Sequence, residues 1–138
     1  MNGTANGLYG GDLPNQINTP WIDFSEQSTI VGWSSFTLRR MLYKRIGDVL
    51  FLNVCINGVS NSTSTTFTLP FICKTGASIP FGYTGDNGTF TMGGMGLINS
   101  NSNSVICYKT NTTANTSIQI IWTASGTKEI NFTGIVNL

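Results

Sequence analysis

The chain has no histidine at all among its 138 residues. That excludes imidazole general bases, histidine-based triads and most zinc sites. Charge is scarce too: only 9% of residues are Asp, Glu, Lys or Arg, against about 25% in an ordinary globular domain. Six acids, Asp12, Asp23, Glu26, Asp48, Asp86 and Glu129, are scattered along the sequence and form no carboxylate pair by spacing. No G-x-S-x-G elbow and no phosphate-cradling loop occurs. Non-enzymatic function is the expectation, with no cofactor and no metal.

The net charge of +1 gives no field with which to displace counterions from phosphates, so nucleic acid is not an expected partner. The one basic run, Arg39, Arg40, Lys44 and Arg45, divides between the two faces of a strand and makes no one-sided patch. No apolar run approaches the ~20 residues of a membrane helix, which argues against membrane insertion. The polar, Gly-rich start lacks the pattern of a secretion signal. Three cysteines, Cys55, Cys73 and Cys107, are odd in number and widely spaced, which suits small buried hydrophobes in a reducing compartment. The N-x-S/T triplets at Asn61, Asn87, Asn111 and Asn131 then follow from a composition rich in Asn, Ser and Thr.

What is present is alternation. From Asp48 to Asn57, Leu50, Leu52, Val54 and Ile56 fall on one face, and Val49, Phe51, Asn53, Cys55 and Asn57 on the other. A period of two over ten residues is a strand signal, because successive side chains point to opposite sides of a pleated backbone. Short strands are expected at Thr29–Trp33, Leu38–Arg45 and Thr65–Leu69, the last stopped by Pro70, with a tight turn at Ile46-Gly47-Asp48. Phe71 to Gly88 reads as irregular, and Thr89–Ile98 as one strand broken by glycines. Val105–Lys109, Ser117–Ala124 and Lys128–Leu138 complete the set. The Ser117–Ala124 strand sets Ile118, Ile120, Trp122 and Ala124 on one face, and the closing strand turns Ile130, Phe132, Gly134, Val136 and Leu138 inward.

No segment carries a helical repeat. The expected fold is all-β: an antiparallel β-sandwich, jelly-roll-like, of eight or nine strands. Residues 1–20 read as an extended lead-in and 21–138 as the sandwich.

Trp122 alternates with isoleucines and belongs to the core, whereas Trp21, Trp33, Phe81 and Tyr83 stand near turns. Aromatic rings stack on sugar faces while amides and acids take the hydroxyls, so Tyr83, Asp86 and Asn87, with Trp21, form a candidate glycan-binding set. Rings that merely close the ends of the sandwich are the competing reading. Asp86-Asn87-Gly88 lacks the further acids of a calcium loop and reads as a turn. The mixed outer faces, with Phe51 and Cys55 beside Asn53 and Asn57, and Ile121 between polar neighbours, suggest an oligomer interface at Phe51, Cys55 and Ile121.

Several stretches resemble the carboxy-terminal head domains of bacteriophage tail-fibre and receptor-binding proteins. They are Tyr43-Lys44-Arg45-Ile46-Gly47-Asp48-Val49, the NGVSNSTSTTFTLPF segment, Asp86-Asn87-Gly88, and Trp122 to Lys128 before a closing strand. The resemblance covers about residues 28 to 138. It implies a homotrimer at a fibre tip, binding a host-surface glycan or protein receptor and joined to other virion fibre or tail proteins. It also implies a virion location after synthesis in the host cytoplasm. Two other classes fit the same composition: a carbohydrate-binding module of an enzyme, and a capsid decoration or minor structural protein.

Overall fold

The computed structural model describes residues 17–110 and 121–138, and the backbone of residues 118–119. Among these residues there is no helix. The strands are β1 (Ile22–Asp23), β2 (Ile30–Val31), β3 (Trp33–Ile46), β4 (Val49–Ser60), β5 (Thr66–Cys73), β6 (Ala77–Pro80), β7 (Tyr83–Asp86), β8 (Thr89–Met92), β9 (Met95–Ile98), β10 (Ser102–Thr110), β11 (Ile118–Gln119) and β12 (Thr127–Asn137). They form two antiparallel sheets. The first runs β1-β3-β4-β12-β7-β8 and the second β2-β5-β10-β9-β6, with β11 pairing on β10. Three strands have only two residues; the other nine match the expected number, although not all of them lie where the pattern placed strands.

β4 is the centre. It pairs with β3 on one side and, from Val49 to Val59, with β12 on the other. Leu50, Leu52, Val54 and Ile56 are fully buried, as the alternation predicts. Each such side chain contributes roughly 1.5–3 kcal/mol by leaving water. Opposite them, Phe67, Leu69, Ile79, Ile98, Val105 and Cys107 fill the second sheet's inner face. Phe132 joins the layers, with its ring 4.7 Å from that of Phe81 and 6.1 Å from that of Phe67. Gly134 faces inward where the Ile79 side chain takes up the space. The three cysteines are buried and unpaired, and burial pushes each thiol up from its ordinary value.

Pro70 does not stop its strand. β5 runs through it to Cys73, because the β5–β10 register shifts there: Thr68 faces Ser104 and Cys73 faces Ser102. Leu69 to Ile72 therefore bulge opposite the single residue Asn103, whose side-chain amide donates to the Leu69 carbonyl at 3.0 Å. A proline without an N–H fits such a bulge at no cost to the ladder. The stretch from Phe71 to Gly88 is likewise not irregular, since it holds β6 and β7, each too short to display a period. Thr89–Ile98 is not one interrupted strand. It is β8 in the first sheet and β9 in the second, joined by Gly93 and Gly94 at φ of 94° and 118°. A Cβ on Gly94 would stand 2.8 Å from the Tyr108 carbonyl oxygen, so the crossover needs glycine.

Of the lead-in over 1–20, residues 1–16 lie outside the described residues. Ile17 and Thr19 hydrogen bond along the end of β3, through Gly47 N–H to the Ile17 carbonyl at 2.8 Å and Thr19 N–H to the Arg45 carbonyl at 2.9 Å. The Ser117–Ala124 strand is confined to β11 among the described residues. Ile120 lies outside them, and Ala124 is exposed rather than inward. Trp122 is core as expected, with its indole N–H donating to the Cys107 carbonyl at 2.9 Å.

One end of the sandwich is closed by a buried charge. Lys128 is fully buried, and its Nζ donates to the Gly32 carbonyl at 3.0 Å and the Ser62 carbonyl at 2.9 Å. The rings of Trp33 and Trp122 flank it at 5.4 and 5.5 Å, a cation–π arrangement on both sides. Burial lowers its pKa from 10.5 to about 8. Between those values the unfolded chain holds a proton that the folded chain has released, so this group's contribution to stability rises with pH through that window. Lys128→Ala should destabilise by about 2–4 kcal/mol, through the cavity between the indoles and two orphaned carbonyls. In urea melts compared with Lys128→Met, wild type should gain about 1–2 kcal/mol relative to the variant between pH 8 and pH 10. A pH-independent difference would contradict the assignment.

Candidate functional site

Antiparallel partners share a face, so the register defines what the first sheet shows to the outside. β3 contributes Leu38, Arg40, Leu42 and Lys44, and β4 contributes Phe51, Asn53, Cys55, Asn57 and Val59. β12 adds Glu129, Asn131, Thr133 and Ile135. β7 adds Tyr83 and Gly85, paired with Met92 and Phe90 of β8. Much of this face is apolar and open: Leu38 is 44% exposed, Val59 46%, Ile135 60%, Phe90 62% and Met92 84%.

Of the residues expected at an interface, Phe51 lies on this face, half-buried beside its partner Ile135. Cys55 lies there too but is sealed by its own chain, between Arg40 and Asn131, and offers a partner no surface. A short side chain between two longer ones is covered without help. Ile121 is well exposed but belongs to the segment between β11 and Trp122, not to this face.

At the β7–β8 edge the face dips into an open hollow of about 370 Å³, lined by Tyr83, Phe90, Thr91, Met92 and Glu129. Gly85 lies buried beneath one wall of it: a Cβ there would come within 2.7 Å of the Phe90 ring and 3.3 Å of the Glu129 Cβ. The missing side chain lets the Phe90 ring lie down against the sheet, edge-on to Tyr83 at 6.2 Å. Glu129 is nine-tenths buried. Its Oε1 accepts a hydrogen bond from the Tyr83 hydroxyl, and its Oε2 accepts one from Asn57 Nδ2 at 2.8 Å. The bond to the Glu129 carboxylate pushes the Tyr83 phenol up from its ordinary 10. Among the described residues no cation lies within ion-pair distance of Glu129.

The structure divides the four residues singled out for glycan contact. Tyr83 belongs to the hollow. Asp86 does not: it pairs with Lys109 and accepts from Thr123 N–H at 3.0 Å and Thr123 Oγ1 at 3.1 Å, with its side chain only 9% exposed. That carboxylate clasps β7 to β10 and the Trp122 segment, and its lone pairs are used. Asn87 and Gly88, at φ of 49° and 80°, make the two-residue turn of the β7–β8 hairpin. The Asn87 side chain packs on Gly126. Trp21 is half exposed but sits beside β1, four strand spacings or roughly 19 Å from β7 across the sheet. No single sugar ring reaches both.

Phe90, Met92 and Glu129 were not singled out in the sequence. The signal was the Asn87-Gly88 turn: extending that hairpin pairs Gly85 with Phe90 and Tyr83 with Met92, setting two large apolar side chains on the face that carries Tyr83. Among the described residues no three Cys, Asp or Glu side chains gather to hold a metal ion. No protein-family model, curated protein or solved structure matches the chain.

Ultraviolet titration should find Tyr83 ionising above its ordinary 10, and Glu129→Gln should bring it back down; a titration curve unchanged by that substitution would remove the Tyr83–Glu129 bond from the account. Asp86→Ala, which strands the Lys109 ammonium, should cost about 3–5 kcal/mol in chemical denaturation, and a cost below about 1 kcal/mol would refute the clasp.

Proposed function

We propose that this chain is a non-enzymatic adhesion module: a jelly-roll-like head at the tip of a viral fibre, of the bacteriophage tail-fibre kind. In this reading it is a homotrimer on the virion that attaches to a host-surface glycan or protein receptor. The observation that carries the reading is the apolar outer face of the first sheet, with Leu38, Val59, Ile135, Phe90 and Met92 open on one surface. Soluble monomers seldom leave so much apolar area uncovered in one place. Closed assembly of like copies covers it. Three copies also turn weak single-site contacts into useful avidity. The scarcity of charge and the abundance of amide and hydroxyl side chains suit neutral, sugar-bearing surfaces. The resemblance of the quoted motifs to fibre heads supplies the virion setting.

The hollow at the β7–β8 edge, with two rings, a hydroxyl and a carboxylate together, also suits a monomeric carbohydrate-binding module. Assembly state separates the two.

Light scattering at micromolar concentration should give three times the chain mass, and Ile135→Asp with Leu38→Asp should reduce it to one. A wild-type monomer would sink the trimeric reading. Labelled wild-type protein should coat host cells and block infection; a trimer that does neither would belong to virion structure instead.

A further inference from the structure

Glu129 is one of only six acids in the chain and is nine-tenths buried, yet among the described residues only two neutral donors hold it. A carboxylate offers about four lone-pair positions, so two remain without a donor among the described residues, and Glu129 lines the hollow. Burying an anion without a counter-ion is costly. Arg40 stands on the same face, but two strands away across β4. Its charge and that of Glu129 are both felt at Cys55, between them, without an ion pair forming. Besides Thr91, the rest of the lining is large and mostly apolar: Tyr83 and Phe90 present ring surface and Met92 a polarisable thioether. The absence of a side chain at Gly85 lets the Phe90 ring lie flat against the sheet, so that its outer surface forms a wall of the hollow. At about 370 Å³ the space is at the small end of ligand pockets and takes one sugar ring rather than a length of peptide.

We propose that the hollow at the β7–β8 edge binds an amine-bearing sugar, with its ammonium on the Glu129 carboxylate and its ring against Phe90 and Tyr83. Asn57 and the Tyr83 hydroxyl are positioning residues: they hold the carboxylate so that its free lone pairs face the ligand. The recognised group is cationic, which separates this site from one that reads neutral hydroxyls. It deepens the adhesion reading by naming the receptor chemistry. It would stand unchanged if the chain were a monomeric carbohydrate-binding module.

The test is a titration of the full chain, labelled with ¹⁵N, with D-glucosamine, N-acetyl-D-glucosamine and D-glucose. Glucosamine should shift the amides of Tyr83, Gly85 and Phe90 saturably. The two neutral sugars should bind about tenfold more weakly or not at all. Glu129→Gln, which keeps its neighbours' shape, should lose the preference for the amine. Gly85→Ala, whose methyl displaces the Phe90 ring, should lose binding of all three sugars. Melting curves of both variants report whether they remain folded. If either fails to fold, Phe90→Ala replaces it, and should lose ring stacking while keeping weak amine selectivity. Equal binding of the three sugars overturns the proposal in favour of a hydroxyl-reading site, and absence of binding overturns it outright. A drop in solution mass for Glu129→Gln also overturns it, since the cation would then come from a second copy of the chain. Loss of cell attachment with intact glucosamine binding would fault the adhesion reading and leave this site standing.

Discussion

The alternation of β4 is the constraint from which the rest of the molecule follows. Leu50, Leu52, Val54 and Ile56 are buried together, and because a strand's side chains alternate strictly, that choice also fixes which residues face outward. A register slip by one residue would put four aliphatic side chains in water. β3 and β12 must pair with β4 in one register, and so Ile135 is set beside Phe51 and Glu129 beside Asn57. The hollow and the apolar face are consequences of how the core is closed. The hollow itself is lined from β7, β8 and β12, whose places on the sheet follow from that register.

Two charged side chains tie the periphery to that centre. Lys128, held between two indoles, joins the β2–β3 link, the β4–β5 loop and β12. Asp86 joins β7 to Lys109 of β10 and to Thr123. Both charges are spent inside the protein, on structure. Glu129 differs: it is buried on the outer side of the sheet with neutral partners only, among the described residues. That contrast distinguishes a carboxylate that holds the fold from one left for a ligand.

β4 and β12 were legible in the sequence because they are long and regular. By contrast β3, longer still at 14 residues, was read only from Leu38 to Arg45, because register shifts before Leu38 break its alternation. β4 and β12 carry enough alternating residues for a period to emerge, and their inward sets were read correctly down to Gly134 and Val136. The short strands were not legible. β6, β7, β8 and β9 have four residues each, and a period of two cannot be told from chance over that length. Pro70 misled because a proline rule about ladders does not announce a bulge. Lys128 stood on the inward side of its strand by parity, but composition alone gives no reason to bury an ammonium; the two tryptophans and two carbonyls that accept it come from distant parts of the chain. Asp86 was chosen for its turn and is consumed by Lys109, while Glu129, in plain alternation on β12, passed as an ordinary surface acid. Residue type identified candidates, and only the folded geometry separated spent side chains from open ones.

The central claim is that other copies of this chain cover the outer face of the first sheet. Ile135 and Ile72 provide a direct comparison, since they are the same residue type at 60% and 59% exposure in the single chain, one on that face and one on β5 of the other sheet. Hydroxyl-radical footprinting at micromolar concentration reads both at once. The account predicts that Ile135 is modified several-fold more slowly than Ile72. Equal rates would mean that the face lies open to water in solution, and that the grease on it serves something other than assembly.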